Sequence, residues 1–298
     1  MFAPVVERFK STGARGRTDQ IAKVLGYSRQ YYYKIRNSEV YKSASEEKIK
    51  ELVQSERKVL SRIGTRKLHY KLRDEFNAQE IKCGRDKLFK HMRQWSLQIQ
   101  PKRRYVQTTN SKHWLRKYPN LTKGIGLDHA DQLWVSDITY IKTQEGNCYV
   151  NMVTDAYSKK IMGYTISDNM ETQSVIGAYK MALKNKVNKS IETIHHSDRG
   201  LQYCSKEYIE LSLNNNCKIS MTENGDPYEN ALAERMNRTI KEEFGLGAII
   251  KSKLVAKLLM DEAVLLYNEY RPHLSLNYKT PNEVYKKSLT STCEARDN

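Results

Sequence analysis

Residues 133–141 read LWVSDITYI, and this stretch decides the fold of the second half of the chain. Its β-branched and aromatic residues predict a strand, in which alternate side chains point to opposite faces. One face carries Leu133, Val135, Asp137, Thr139 and Ile141. The carboxyl group of Asp137 is therefore expected among apolar neighbours, where an ionised carboxylate is costly unless a cation compensates it.

Strand and helix patterns alternate after this strand. CYVNMVTDAYSKKIMGYTIS, at 148–167, predicts two more strands joined by a turn. The patterns that follow are helix 171–186, strand 191–197, helix 205–215, strand 217–222 and a helix opening near Asp226 and Pro227. Three sequential strands followed by alternating helices and strands predict an α/β fold with a mixed sheet.

A second acid, Asp198, follows a predicted strand in IHHSDRGLQY, at 194–203. Ligands collect at the ends of strands in open α/β sheets, which makes this position a candidate for function. An Asp in this position also caps turns or helices for purely local reasons. Asp198 alone is therefore weak evidence for a site.

The third acid, Glu234, lies in the helix-like stretch NALAERMNRTIKEEF, at 230–244. Apolar residues recur there at intervals of four and predict a buried stripe of Leu232, Met236, Ile240 and Phe244. At about 100° per residue, Glu234 points away from this stripe and shares its face with Asn230, Arg238 and Lys241. A surface ion pair between Glu234 and Arg238 is the alternative interpretation of the glutamate on its own.

Charge is distributed unevenly along the 298 residues. Residues 1–130 carry 30 Lys and Arg against 12 Asp and Glu, whereas residues 131–298 carry 21 against 22. An excess confined to one half favours a nucleic-acid partner, because each neutralised phosphate releases counterions. A basic surface that serves only solubility is the alternative.

The first 40 residues contain the pattern of a helix-turn-helix DNA-binding segment. A short apolar helix pattern leads to a turn at Gly26, and Ser28 is placed to cap a second helix. The side chains that this helix would present to phosphates and base edges are Arg29, Gln30, Tyr33 and Arg36. An ordinary helical hairpin is the alternative interpretation.

The five cysteines are odd in number, widely spaced and without a C-x-x-C pair. This usage argues against a disulfide framework or a zinc knuckle and favours a reducing compartment. The sequence also has no apolar run of about 18 residues and no secretory leader pattern, so a cytoplasmic location is expected.

The three acids gain weight as a combination. Between Asp198 and Glu234 lie 35 residues, and Lys241 follows the glutamate by seven positions. With WVSD and HSDRGLQY, this spacing resembles the DDE transposases and retroviral-type integrases, most closely the OrfB-type transposases of the third insertion-sequence family. RIGTRKLHYKL and GRDKLFKHMRQWSL resemble the helical N-terminal block of that family. VTDAYSKKIMGY, NGDPYENALAERMNRTIKEE and YNEYRPHLSLNYKTPNEVY resemble its catalytic core through to its end.

The resemblance implies a ribonuclease H-like core in which Asp137, Asp198 and Glu234 converge as the catalytic and metal-binding residues. Carboxylates so close together repel one another unless divalent cations occupy the site, and hard oxygen ligands favour Mg²⁺ or Mn²⁺. Two ions would serve an in-line phosphoryl displacement. The resemblance also implies DNA contacts by Lys241, Arg238 and Arg199, the last at the rim of the site with His196.

Other acids compete for these roles. Asp155 competes for the first position, but its setting in VTDAYSKK is that of a hairpin turn. Glu229 would leave only 30 residues after Asp198, and Glu242 and Glu243 lie beyond Lys241. Two residues depart from the family pattern, namely Glu229, where relatives commonly have Asp, and Arg199, where many have Gln.

The resemblance also divides the chain. The predicted parts are a helix-turn-helix-like segment at 1–40, a second helical DNA-binding block at 41–104, a basic linker at 105–130, the integrase catalytic core at 131–245 and a C-terminal helical extension at 246–298 that closes the core. The second block ends in the basic residues Lys102, Arg103 and Arg104, which are further candidates for DNA contact.

The expected activity is that of a DNA transposase, which cleaves and transfers strands at the ends of its own insertion sequence. Its partners would be double-stranded DNA, as terminal inverted repeats and target, and at least one further copy of itself. A bacterial, nucleoid-associated location is implied. Two alternatives stay open, namely a metal-dependent nuclease of the same fold and a DNA-binding regulator with an inactive catalytic domain.

Overall fold

The computed structural model describes residue 26 and residues 28–99, 116–223 and 227–294. Lys102, Arg103, Arg104, the first 25 residues and the linker up to residue 115 lie outside these ranges, so the predictions on them stay predictions. The chain divides into two compact units, Met1–Lys58 with Leu68–Gln98 and Val59–Lys67 with Ile99–Asn298.

Among the described residues before 100, the helices are α1 at Arg29–Val59, α2 at Thr65–Ala78 and α3 at Arg85–Gln94. Ser28 caps α1, since its Oγ accepts a hydrogen bond of 3.1 Å from the backbone N–H of Tyr31. Helix α1 runs through the predicted division between residues 40 and 41, and the division of function between the segments 1–40 and 41–104 stays a prediction. No Gly or Pro interrupts residues 29–59, so the helix continues.

The first unit is held together by apolar side chains on these helices. The buried residues are Ile49, Val53, Leu68, Leu72, Phe76, Leu88 and Met92. Trp95 is half-buried and stacks on the His91 ring at 5.2 Å between centroids. The Met92 and Trp95 side chains therefore belong to the packing of this unit rather than to a ligand site.

The second unit contains a five-stranded sheet in the order β3-β2-β1-β4-β5. Its strands are β1 at Leu133–Thr143, β2 at Gly146–Asp155, β3 at Ile161–Ser167, β4 at Thr193–Ser197 and β5 at Cys217–Met221. β2 pairs antiparallel with β1 and with β3, whereas β4 pairs parallel with β1 and with β5. This arrangement confirms the predicted mixed sheet.

Helices cover both faces of the sheet: α4 at Thr172–Asn185, α5 at Lys206–Leu213, α6 at Ala231–Glu243, α7 at Lys253–Glu269 and α8 at Pro281–Glu294. Short 3₁₀ turns occupy Pro227–Asn230 and Leu274–Leu276. One core joins Trp134 of β1 to Tyr179, Tyr208 and Tyr285. The other joins Ile141 of β1 to residues of α6 and α7, so the central strand β1 contributes to both cores.

A glycine sets how closely α4 approaches the sheet. A Cβ atom at Gly163 of β3 would lie 2.1 Å from the backbone O of Ala178 and 2.6 Å from the backbone N of Ala182. Any side chain here would force the helix away from the strand, so Gly163 is required by close backbone packing.

None of the helices in the described part of the chain combines the length and the apolar character that a membrane crossing requires.

Candidate active site

The first predicted acid, Asp137, lies on the central strand β1 and is half-buried. Its Oδ1 accepts a hydrogen bond of 2.9 Å from the backbone N–H of Ile138, and its Oδ2 accepts one of 2.7 Å from Asn237 Nδ2. Burial, followed by the negative charge of Asp198, raises the pKa of Asp137 to about 7, and Glu234 adds a smaller contribution in the same direction. The two hydrogen bonds act in the opposite direction.

The second acid, Asp198, is the first residue after β4. Since β4 lies parallel to β1, with His196 opposite Val135, Asp198 follows its strand at the level of Asp137. Its Oδ1 accepts a hydrogen bond of 3.0 Å from the backbone N–H of Gly200, which turns the chain away from the sheet. The charge that Asp198 exerts on Asp137 shows that the structure brings these two acids together.

The third acid, Glu234, lies on α6. Side-chain hydrogen bonds hold this helix against β1. Asn230 Nδ2 donates to the backbone O of Ser136 at 2.9 Å, and Asn237 donates to Asp137. Lys241 Nζ donates to Thr139 Oγ1 at 2.5 Å. Glu234 lies in the first turn of α6, after the N-cap residue Asn230 and before Asn237, with its side chain exposed, and partial burial raises its pKa.

The buried face of α6 differs slightly from the predicted stripe. Its buried residues are Ala233, Met236, Asn237 and Ile240. Leu232 and Phe244 are only half-buried. The helix is therefore rotated so that a polar residue, Asn237, faces β1. The sequence patterns did not identify Asn237 as a functional residue. Its spacing of three from Glu234 was the available signal, since residues three apart share a helix face.

Asp198 and Glu234 both act electrostatically on Asp137, but the oxygens of the three acids do not form a ready ligand set. In the described ranges, no three His, Cys, Asp or Glu side chains lie close enough together to hold one metal ion. The chemistry of the group still fits a hard divalent cation, because it offers carboxylate oxygens. Burial, followed by the charge of Asp198, raises the pKa of Asp137, and such a cation would offset both effects.

The competing acids are occupied in other ways. Asp155 is buried at the end of β2, where its carboxylate accepts from the backbone N–H groups of Asp131 and Ser158. Glu229 Oε2 accepts from the backbone N–H of Glu223 at 2.6 Å.

Two more acids near the end of α6 are engaged in ion pairs. Glu242 pairs with Arg238 at 3.1 Å, and Glu243 receives two hydrogen bonds from Arg271 at 2.7 and 2.6 Å. Arg238 thus pairs with Glu242 rather than with Glu234 in the described structure. These contacts make Glu234 the strongest candidate for the third acid.

The two histidines of β4 are buried and hydrogen-bonded. His195 contacts Ser136 Oγ through Nε2 at 2.5 Å and Tyr208 OH through Nδ1 at 2.6 Å, and burial lowers its pKa to about 3. His196 contacts Ser220 Oγ through Nδ1 at 2.8 Å and the backbone O of Glu229 through Nε2 at 3.0 Å. The expectation that His196 lies on the rim of the site is wrong, because its ring is buried by these contacts.

The predicted DNA contacts differ in exposure. Arg238 is exposed and Arg199 half-buried. Lys241 is also tied to the core, since its ammonium group lies 4.7 Å from the centroid of the Tyr140 ring and burial lowers its pKa.

Along α1, Gln30 and Arg36 are exposed and Tyr33 is half-buried, whereas the side chain of Arg29 lies outside the described structure. Their proposed role in DNA binding stays a prediction.

Comparisons with known proteins place the chain in a family. Two models of the integrase core domain match, one over residues 128–227 and the other over residues 215–281. A protein of Shigella sonnei, the insertion element IS600 uncharacterized 31 kDa protein, is 31% identical over 265 residues, which are 88% of this chain and 96% of the relative. The chain belongs to the DDE transposase and integrase superfamily.

Other members of the superfamily agree with this assignment. The transposase for IS904 of Lactococcus lactis is 32% identical over 182 residues, 59% of this chain and 72% of the relative. Transposase InsF for IS3A of Escherichia coli is 28% identical over 221 residues, which are 74% of this chain and 76% of the relative. The HTLV-2 integrase catalytic core domain, solved in complex with magnesium, is 16% identical with a TM-score of 0.42 and covers 53% of this chain and 97% of its own. The predicted integrase core and transposase function are confirmed by the family models and the named transposases.

Proposed function

We propose that this transposase cuts and joins DNA strands at the ends of its own insertion sequence, with Asp137, Asp198 and Glu234 as its catalytic residues. The observation that carries the proposal is the placement of Asp198 at the level of Asp137 on the adjoining parallel strand, with Asn237 of the Glu234 helix donating to Asp137 at 2.7 Å. A carboxyl group in that setting gains most from a cation and a polyanionic substrate.

Two divalent cations, Mg²⁺ or Mn²⁺, would be held by the carboxylates of these three residues. When bound, such ions supply Lewis-acid activation of the attacking oxygen and charge stabilisation of the leaving one. Carboxylate donors suit both metals, because hard cations prefer oxygen ligands.

The residues around the acids would position them and the DNA. The Ile138 N–H and Asn237 each hold one oxygen of Asp137, and the Gly200 N–H holds Asp198. These hydrogen bonds favour the ionised carboxylates that metal binding requires. Lys241 lies on the same face of α6 as Glu234 and beside Thr139, where it would contact a DNA phosphate. Arg238 and Arg199 would add positive charge.

The DNA partners would be the terminal inverted repeats and a target duplex, bound in part by the basic N-terminal regions at 1–40 and 41–104. Hydrolysis would free a 3′-hydroxyl group, and this hydroxyl would attack a second phosphodiester without a covalent protein intermediate. Bringing two ends together requires at least two copies of the chain. A DNA substrate of this kind implies association with the bacterial nucleoid.

The test is to incubate the full chain with Mg²⁺ and labelled DNA that carries the terminal repeats of the element. Joined strands are the expected product. Cuts without joining would instead favour a nuclease, and DNA retention without either reaction would favour a regulator. Glu242→Gln is a matched control on the same helix, because Glu242 pairs with Arg238 and takes no proposed part in the reaction.

A further inference from the structure

The segment at residues 116–123 lies along the outer side of the edge strand β5. The backbone N–H of Met221 donates to the backbone O of Pro119 at 3.3 Å, and the backbone N–H of Leu121 donates to Ser220 Oγ at 2.8 Å. Both bonds lie at the carboxyl end of β5, which is the end of the sheet where the acid after β4 lies. The segment is therefore fixed beside the candidate active site.

Strand pairing sets the distance of this segment from Asp198. In the parallel pair of β4 and β5, Met221 lies opposite Ser197, the residue before Asp198. Neighbouring strands are about 4.8 Å apart, so the segment beyond β5 runs two spacings, or about 10 Å, from the end of β4. Nucleotides of one DNA strand advance about 3.4 Å each, so this distance corresponds to about three nucleotides.

Cationic side chains of the segment and of the turn after β4 lie near the acid. Lys117 is exposed and Arg199 is half-buried. Burial, followed by the charge of Asp198, raises the pKa of the buried Cys204 thiol. Lys117 and Arg199 act on the same thiol in the opposite direction. Both cations and the acid therefore surround one sulfur atom.

A carboxylate accompanies the other lysine of the segment. Lys123 is exposed and forms an ion pair with Glu223, in which its ammonium group donates to Oε2. This hydrogen bond lowers the pKa of Glu223, and the charge of Arg199 acts in the same direction. Glu229 holds the backbone N–H of Glu223 at 2.6 Å, so the carboxylate of Glu223 is kept between two cations.

We propose that Lys117, Lys123 and Arg199 form a phosphate-binding edge for the DNA strand. It would hold a phosphate about three nucleotides from the reacting bond. Glu223 occupies the edge in the absence of DNA, and an entering phosphate takes the place of its carboxylate on Lys123. Lys241 lies beside β1, on the other side of Asp198, so the two sets of cations would flank the reacting bond.

This inference rests on the proposed function, because it takes DNA as the substrate. Its first test is the affinity of the full chain for labelled duplex DNA with the terminal repeats, measured by fluorescence anisotropy over a range of salt concentrations. The double variant Lys117→Gln with Lys123→Gln should bind several-fold more weakly at low salt. Its plot of log Kd against log salt should be shallower by about 1.8, since each phosphate contact contributes about 0.9.

A matched control removes two other exposed lysines of the same unit. Lys218 lies at the opposite end of β5 and pairs with Glu192 at 2.6 Å, and Lys189 lies before β4. Lys189→Gln with Lys218→Gln should leave the salt slope unchanged. Circular dichroism should show the same secondary structure in all variants.

Glu223→Gln gives the sharpest result, because its expected effect has the opposite sign. Removal of the competing carboxylate should tighten DNA binding, whereas a residue that only supports the fold would weaken it when replaced. An uncharged methylphosphonate about three nucleotides from the reacting bond should weaken binding by the wild type and have no further effect on the lysine double variant.

Three results would overturn the proposal: an unchanged salt slope in the lysine double variant, weaker binding by Glu223→Gln, or an equal methylphosphonate effect in both proteins. A wild-type chain that binds and joins DNA while giving any of these results would contradict the phosphate-binding edge alone. A wild-type chain that fails to bind DNA would contradict the proposed function together with the edge.

Discussion

Two groups of polar residues lie on the adjoining strands β1 and β4 and differ in how their charges are balanced. The histidine cluster, Ser136, His195 and Tyr208, is uncharged, because burial lowers the pKa of His195 to about 3, and both ring nitrogens of His195 have hydrogen-bond partners. The acidic group, Asp137, Asp198 and Glu234, places like charges near one another in a partly apolar setting.

Strand geometry produces this contrast, since the neighbours Ser136 and Asp137 point to opposite faces of β1. The polar groups of the histidine cluster form hydrogen bonds with one another and so contribute to stability. The acidic group lowers stability in the absence of a cation and gains from an external ligand. The difference separates polar side chains that serve the fold from those that we propose for the reaction.

The largest effects should follow loss of an acid. Asp137→Asn, Asp198→Asn and Glu234→Gln should each lower the strand-transfer rate by roughly 10³-fold or more, because charge that holds the metal is lost. Gel assays of joined DNA measure the rate, and filter binding should show DNA affinity within a few fold of wild type. Retained joining by any one variant would remove that residue from the acidic group.

A substitution in the histidine cluster should lower the stability of the fold rather than the strand-transfer rate. His195→Ala should lower the free energy of unfolding by about 3 kcal/mol, because it leaves a cavity and removes a partner from Tyr208 and Ser136. Urea denaturation measures this loss. The Mg²⁺ concentration at half-maximal strand transfer should stay unchanged in the folded fraction, and a shift in it would show that the two groups are not independent.

Asn237 connects the acidic group to α6, so replacing it should have an effect of intermediate size. Asn237→Ala should lower the strand-transfer rate about 10- to 100-fold, as expected for a residue that orients a metal ligand. Its hydrogen bond lowers the pKa of Asp137, so the rising limb of the pH profile should move to higher pH. Asn230→Ala, which loses a bond to a backbone carbonyl instead, should leave the pH profile in place.

A more gradual effect is a pH dependence of stability without metal. The pKa of Asp137 rises from 3.8 to about 7 on folding, so the stability it contributes is full below pH 3.8 and is lost as the pH rises through 7. The free energy of unfolding should fall by at most about 1.4 kcal/mol per pH unit from this group.

Comparison with Asp137→Asn isolates this slope, because Asp155, whose pKa is also raised, to about 6, contributes equally to both proteins. Added Mg²⁺ should restore stability near pH 7 in the wild type alone. Equal slopes in the two proteins would show that Asp137 is not destabilised by its surroundings.

The strands could be predicted from sequence because the alternation of side chains is a local feature. The choice of the three acids rests on ordered motifs and their spacing, and it stays a proposal. The contacts of the competing acids could not, since Glu243 meets Arg271 across 28 positions of the chain. The buried face of α6 was misplaced because packing against β1, rather than hydrophobic spacing alone, sets the helix rotation. The single helix α1 runs through the predicted division after residue 40 because no residue there breaks a helix.

The most direct test of the central claim is anomalous scattering from crystals of the full chain grown with Mn²⁺. The account predicts strong peaks about 2 to 2.5 Å from carboxylate oxygens of Asp137, Asp198 and Glu234. Crystals of Asp137→Asn should lose or weaken those peaks. Absence of bound metal at these residues in the wild type, or its binding at another place, would contradict the account.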